Sequence, residues 1–365
     1  MYIPMVDALA FGLDIEAYED SAALVLQQLE QCKETAKSRM KDKSPEKVTY
    51  QLGDMAFEVL PNGANGYAYI LHNHLFQIKI AQFRSTNPNF FPVKVIIKAE
   101  ALWSLSPEDA FATAYQLVNE QIGTVIANKI SRMDLCCHMD TIAFDKVHLD
   151  HFKGNFRSTN TRAFNRVVSG IEFGTRSSKV FSRIYDKTLE VKQKGQKLWF
   201  LDIWQNHGWD GKQTIWNVEF ELKREFFSHF RLDSVEDAFG SLSSIWHYLM
   251  DEWLVLTLND RTRIENATIC KEWLTASKQF DHYVSCPLIA PEKQMARDAE
   301  VLIPALNGYA KKISAFRNVP HLKEAFHGLE EDIKRYNRRK GTTFEAEVEK
   351  VRSLICGKEG SSQRV

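Results

Sequence analysis

The chain has 365 residues, with 47 Lys and Arg balanced by 47 Asp and Glu, so it is not a polycation as a whole. A 44% hydrophobic, 12% aromatic composition supports a real core, in one large domain or two modest ones. No stretch reaches the roughly eighteen uninterrupted apolar residues of a membrane span, and no basic region precedes an apolar run at the N-terminus, so the expectation is a cytoplasmic protein without a membrane partner. The six cysteines (Cys32, Cys136, Cys137, Cys270, Cys286 and Cys356) show no C-x-x-C spacing, which argues against zinc and for free thiols.

In chain order, residues 1–47 read as a short apolar piece, a helix around Ala22–Leu29 and a basic linker from Lys37 to Lys47. From Val48 the pattern turns to strands: Met55–Leu60, a Pro61–Gly66 turn, Tyr67–Leu71, Leu75–Ile80 and Val93–Lys98. His72-Asn73-His74 offers two imidazoles around a turn residue, a weak metal pattern. Ser106-Pro107-Glu108-Asp109 opens a helix, with a cap, a first-turn proline and acids at the positive end. That helix is expected to run to about Ile126, burying Ala110, Ala112, Leu117, Ile122 and Ile126. Ile130–Asp140 then reads as a strand with Arg132, Asp134, Cys136, His138 and Asp140 on one face. Residues 141–169 have little periodicity and carry Arg157, Arg162 and Arg166; they read as a loop, either DNA-contacting or plain surface.

Gly170–Glu190 is a predicted β-hairpin whose turn is Gly174-Thr175-Arg176-Ser177-Ser178. Period two puts Arg183, Tyr185 and Lys187 on one face of its second strand. A phenol between two cations is expected to have a lowered pKa, and the same cations suit a phosphate. Between Lys153 and Lys197 eleven Lys and Arg face three acids, a local charge of +8 that fits a phosphate backbone. Taken alone, these residues equally describe a basic surface strand. Thr214–Phe227 alternates cleanly, with Trp216, Val218, Phe220 and Leu222 on one face and Asn217, Glu219, Glu221, Lys223 and Glu225 on the other. After Asp233 the chain reads as helical, with Trp246, Tyr248 and Trp253 as core, and Gly357–Val365 reads as a disordered tail.

The stretch Phe173–Lys187, F-G-T-R-S-S-K-V-F-S-R-I-Y-D-K, resembles the active-site segment of the trans-acting replication initiators of rolling-circle plasmids, the Rep_trans family, and of related relaxases of integrative conjugative elements. Members show a Gly-x-Arg-x-Ser turn followed by R-[IL]-Y-[DN]-K. Two more segments match in the family's order. Arg132-Met133-Asp134 resembles R-[ILV]-D-x-x-x-D, with His138 where the second Asp would fall. Asn217–Arg224 resembles R-x-E-x-x-L-K-R, with Asn217 in place of the Arg. The resemblance covers roughly residues 50–230, extending at most to 280.

The resemblance implies that Tyr185 nicks one DNA strand and becomes linked to its 5′ phosphate, with Arg183 and Lys187 assisting. It also implies a divalent metal, Mg²⁺ or Mn²⁺, for which Asp134, Glu219, Glu221, Asp140 and His138 are the candidate ligands. Arg176, Lys179, Arg157, Arg162, Arg166 and Lys223 are the candidate DNA contacts. The implied partners are an origin presented as supercoiled, single-stranded or hairpin DNA, a second copy in a homodimer, and a host helicase. Origin recognition would lie C-terminal to the tyrosine, in 257–280 or 334–340. A relaxase with the same chemistry, or a DNA-binding regulator without catalysis, are the competing readings. The expected architecture is α+β: an N-terminal helical and linker segment (1–47), a mixed or antiparallel nicking domain (48–230), a helical DNA-recognition region (231–290) and a charged helical C-terminal region (291–365).

Overall fold

The computed structural model describes residues 1–283, 285–288, 306–307, 310–315, 317–319 and 321–349. The fold is α+β. Its frame is one antiparallel sheet of eleven strands: β1 (Tyr2–Ile15), β2 (Thr49–Leu52), β3 (Met55–Val59), β4 (Tyr69–His72), β5 (Phe76–Ile80), β6 (Val93–Ile97), β7 (Val125–Met139), β9 (Thr159–Phe164), β10 (Val167–Phe173), β11 (Val180–Asp186) and β12 (Trp216–Lys223). A separate pair joins β8 (Phe152–Gly154) to β13 (Leu254–Leu256). The spatial order is β2-β3-β4-β5-β6-β1-β7-β12-β11-β10-β9.

The short apolar piece that opens residues 1–47 forms β1, a central strand between β6 and β7. Leu9, Phe11, Leu13 and Ile15 along it are buried at every second position, and a bulge between Val6 and Ala8 shifts that phase towards the N-terminus. Pro4 is tolerated because β6 pairs only with Leu9–Leu13, leaving that end of β1 free on one side. The helix after Ser106 spans Pro107–Gln121, with the Ser106 hydroxyl accepting from the Asp109 amide at 3.0 Å. It stops short of the expected Ile126 because Gly123, at φ +155°, breaks it and Val125 begins β7. Ile126 is accordingly exposed, and so is Ala112.

The segment read as a loop before the tyrosine hairpin contains β8 and β9. Asn165 and Arg166, both at positive φ, close a two-residue turn from β9 into β10. β9 is one edge of the sheet and is exposed along its length. The hairpin itself forms as expected, with Gly170 opposite Tyr185 and Phe173 opposite Ser182. After β12, Ser234 and Asp237 form a capping box, and Trp246 and Trp273 are fully buried. The stretch 257–280 contains the helix Lys271–Ser277, anchored by Trp273, whose indole donates to the Met250 carbonyl.

The chain divides into two compact units, Met1–Ala290 and Pro291–Val365. The second contains the helix Leu322–Arg339, on whose last turns the basic stretch from Lys334 begins. The tail from Gly357 lies outside the described residues. Among the described residues no helix is long and apolar enough to cross a membrane, and Cys32, Cys136, Cys137, Cys270 and Cys286 are free thiols.

Candidate active site

Strand register assembles the site. Across β11 and β12, Tyr185 lies opposite Asn217 and Arg183 opposite Glu219; across β12 and β7, Glu221 lies opposite Asp134. The alternation of β12 sends Trp216, Val218, Phe220 and Leu222 into the apolar core. It turns Asn217, Glu219 and Glu221 to the other face, where they are also buried rather than solvated. Buried polar groups need partners, and these residues supply them to one another.

Tyr185 is the centre. Its hydroxyl donates to Glu219 Oε2 at 3.1 Å and accepts from Lys187 Nζ at 2.9 Å and from Asn217 Nδ2 at 3.0 Å. Lys187 begins a helix, Lys187–Lys194, rather than continuing the strand, yet its ammonium still reaches the tyrosine. The expectation of a lowered tyrosine pKa is corrected. Burial first, then Glu219, Glu190 and Asp7, push it well above the usual value, against the Asn217 hydrogen bond. The phenol is therefore held neutral, with a carboxylate placed to take its proton. Lys187 is buried, which works against its charge, but Asp7, Glu190 and Glu219 outweigh this and raise its pKa. It pairs with Glu190 at 2.8 Å.

The carboxylates are held by arginines. Arg183 is bonded to Glu219. Arg132 grips Asp134 through two bonds, 2.8 and 2.6 Å, and its Nη2 also lies 3.0 Å from Glu221. Burial, and after it Glu219, raise the Asp134 pKa against the pull of Arg132. Among the described residues no group of three or more His, Cys, Asp or Glu is gathered in the way that holds a metal ion. Arg132 is ion-paired to two of the expected ligands, Asp134 at 2.6 Å and Glu221 at 3.0 Å, so their charge is already met by a side-chain cation.

Of the other expected ligands, Glu219 is engaged by Tyr185, Arg183 and Asn217, while His138 and Asp140 lie apart. His138 is enclosed by aromatic rings, stacked on Trp103 at 4.8 Å and accepting from the Trp204 indole at Nδ1 (3.1 Å). Burial first, then Lys187 and Lys197, hold it neutral with a strongly lowered pKa. Its Nε2 and the Oδ1 of Asn217, its cross-strand partner, are both buried without a hydrogen-bond partner among the described residues. Asp140 lies beyond the end of β7 and binds the Met1 amino group at 2.7 Å. His72 stands 3.5 Å from Glu58, and His74 is exposed.

A cleft of about 890 Å³ opens beside Tyr185. Of the expected DNA contacts, Arg162 and Arg176 line it along with Arg183. Arg157, Arg166, Lys179 and Lys223 do not. Arg162 is paired with Glu172 at 2.5 Å, and Lys223 is tied to the Arg176 carbonyl and lies 3.8 Å from Glu221.

Three residues at the site were not singled out from sequence. Asn217 was noted only for the arginine it lacks, yet it donates to the tyrosine. Glu190 anchors Lys187. Asp7 sits at a bulge in β1, since Val6 pairs with Leu135 and Ala8 with Asp134, leaving Asp7 unmatched. The bulge aims it at the cleft, where Trp103 Nε1 donates to it at 2.8 Å. No local pattern announces such a bulge; it exists only relative to β7.

No protein-family model matches the chain, and no curated protein matches it. Among solved structures, the chain is similar to a rolling circle replication initiator protein from Geobacillus stearothermophilus, at 13% identity and a TM-score of 0.45, covering 80% of this chain and 100% of that one.

Proposed function

We propose that this protein is a DNA strand-nicking and strand-transfer enzyme with Tyr185 as its nucleophile, of the kind that initiates rolling-circle replication. One observation carries the reading: a single hydroxyl has a carboxylate positioned to take its proton and two N–H donors on its oxygen, in the wall of a basic cleft. As the Tyr185 oxygen attacks phosphorus in line, Glu219 accepts its proton. Lys187 and Asn217 stabilise the oxygen as negative charge develops on it. The bond from phosphorus to the 3′ oxygen breaks. The 5′ phosphate remains on Tyr185, and the 3′ oxygen leaves and takes a proton from water. Attack by a 3′ hydroxyl on the phosphotyrosine runs the same steps backwards and reseals a strand. Arg183, Arg162 and Arg176 are charged groups suited to the phosphates on either side.

Asp134 and Glu221 are the residues that would hold Mg²⁺ or Mn²⁺, and such an ion would supply Lewis-acid polarisation of the scissile phosphate. A conjugative relaxase would use the same chemistry on a transfer origin. The test is incubation of wild type and Tyr185→Phe with supercoiled DNA carrying candidate origins and Mg²⁺ or Mn²⁺. Nicked circles with protein on the 5′ end, absent for Tyr185→Phe, support the reading. Nicking that survives the substitution moves the nucleophile elsewhere.

A further inference from the structure

Lys94, on β6, is half-buried, and its ammonium has no hydrogen bond or ion pair among the described residues. Burial first, then the nearby Lys79 and Arg132, lower its pKa. A cation kept partly out of water beside two other cations is costly unless a ligand supplies negative charge. Its position suggests which ligand. Lys94 lines the tyrosine cleft and also a second cleft of about 580 Å³, so it stands where the two meet.

The second cleft is aromatic and preformed. Phe90 stacks on Tyr67 with centroids 4.8 Å apart, and the Tyr67 hydroxyl donates to the Phe91 carbonyl at 3.2 Å. Phe91 lies directly over Gly12, where a Cβ would come within 3.0 Å of the Phe91 Cβ. Gly66, at φ +84°, leaves room for the outer edge of the Phe90 ring, whose Cε2 and Cζ would lie 3.1 Å from a Cβ there. Lys129 completes the rim, holding Asn89 at 2.6 Å. Aromatic faces beside lysines form a stacking platform with an electrostatic guide, the combination that binds an unpaired nucleotide.

We propose that the second cleft receives an unpaired base of the same DNA strand that is cut at Tyr185, with Lys94 binding a phosphate between the two sites. This rests on the nicking reading and names a flanking-nucleotide subsite for it.

The test measures the affinity of fluorescent oligothymidylates of increasing length, extended in either direction from a fixed label, for wild type, Lys94→Met and Phe90→Ala. Wild type is expected to gain affinity stepwise once the strand is long enough to reach the second cleft. Each variant should abolish that step, a loss of about tenfold, while short strands bind as before. An abasic chain of equal length should respond to Lys94→Met but not to Phe90→Ala, which separates phosphate binding from base stacking. Lys94→Met should melt no lower than wild type, because it removes an unpaired, half-buried charge; this keeps a folding defect from mimicking the result. Unchanged affinity in both variants at every length, with Tyr185 adduct still formed by wild type, would overturn the subsite and leave the nicking reading intact. Failure of wild type to bind any single strand would overturn both.

Discussion

The surroundings of Tyr185 and of Lys94 treat charge in opposite ways. Around Tyr185, Arg132, Arg183 and Lys187 each have a carboxylate in reach, and Asn217 donates to the hydroxyl. Lys94 has no carboxylate partner among the described residues and its pKa is depressed. Paired charges fix geometry at modest net cost, as a reaction centre requires. An unpaired charge spends stability in exchange for readiness to bind. The contrast separates residues whose loss should slow chemistry from those whose loss should weaken binding.

The sharpest way to break that division is Glu219→Gln. It keeps shape but removes the proton acceptor, and the rate of adduct formation should fall by roughly 10²–10⁴-fold with little change in DNA affinity. An unchanged rate would place the base elsewhere. Asn217→Leu should lower the same rate by about a hundredfold, as for loss of one donor to a developing oxyanion. An equal loss of DNA affinity would instead make Asn217 a binding residue. Arg132→Gln tests the metal proposal. If Arg132 occupies the ion's place between Asp134 and Glu221, the variant should bind Mn²⁺ several-fold more tightly by electron paramagnetic resonance. Weaker or equal binding would put the ion at other ligands.

The smallest effect concerns acid stability. Burial opposes ionisation of Glu190, but Lys187 and Lys194 outweigh it and lower its pKa from 4.5 to about 2. A depressed carboxylate pKa adds stability above its unfolded value, and that stability is lost as pH falls towards the folded value. Glu190→Gln should therefore unfold more easily in urea at pH 7, by up to about 1 kcal/mol for a partly exposed pair. The difference should close between about pH 4.5 and 2. A gap that persists at the acid end would mean that the glutamate acts by packing rather than charge.

What could be read from the sequence follows from how local each signal is. The tyrosine hairpin and the alternation of β12 depend on neighbours a few residues apart, and both form as expected. β1 is hard to read because the bulge at Asp7 shifts the phase of its alternation, which is regular only from Leu9 to Ile15, and because Pro4 argues against a central strand. The triad around the hydroxyl was half legible. Period two put Tyr185 beside cations, but that Glu219 and Asn217 meet its oxygen follows from the register of β11 on β12, which no single segment encodes. The tyrosine's pKa moves opposite to the expectation for a related reason: burial, then Glu219 from β12, Glu190 and Asp7 from β1, push it up. His138 fell on the right strand face, but helix Trp199–Asn206 brings Phe200 and Trp204 around it.

The most direct test of the central claim is peptide mapping by mass spectrometry of the covalent product formed with a single-stranded oligonucleotide that the protein cleaves. The account predicts one modified peptide, bearing a nucleotide 5′-phosphate on Tyr185. A phosphodiester on any other residue, or cleavage that leaves no covalent product, would contradict it.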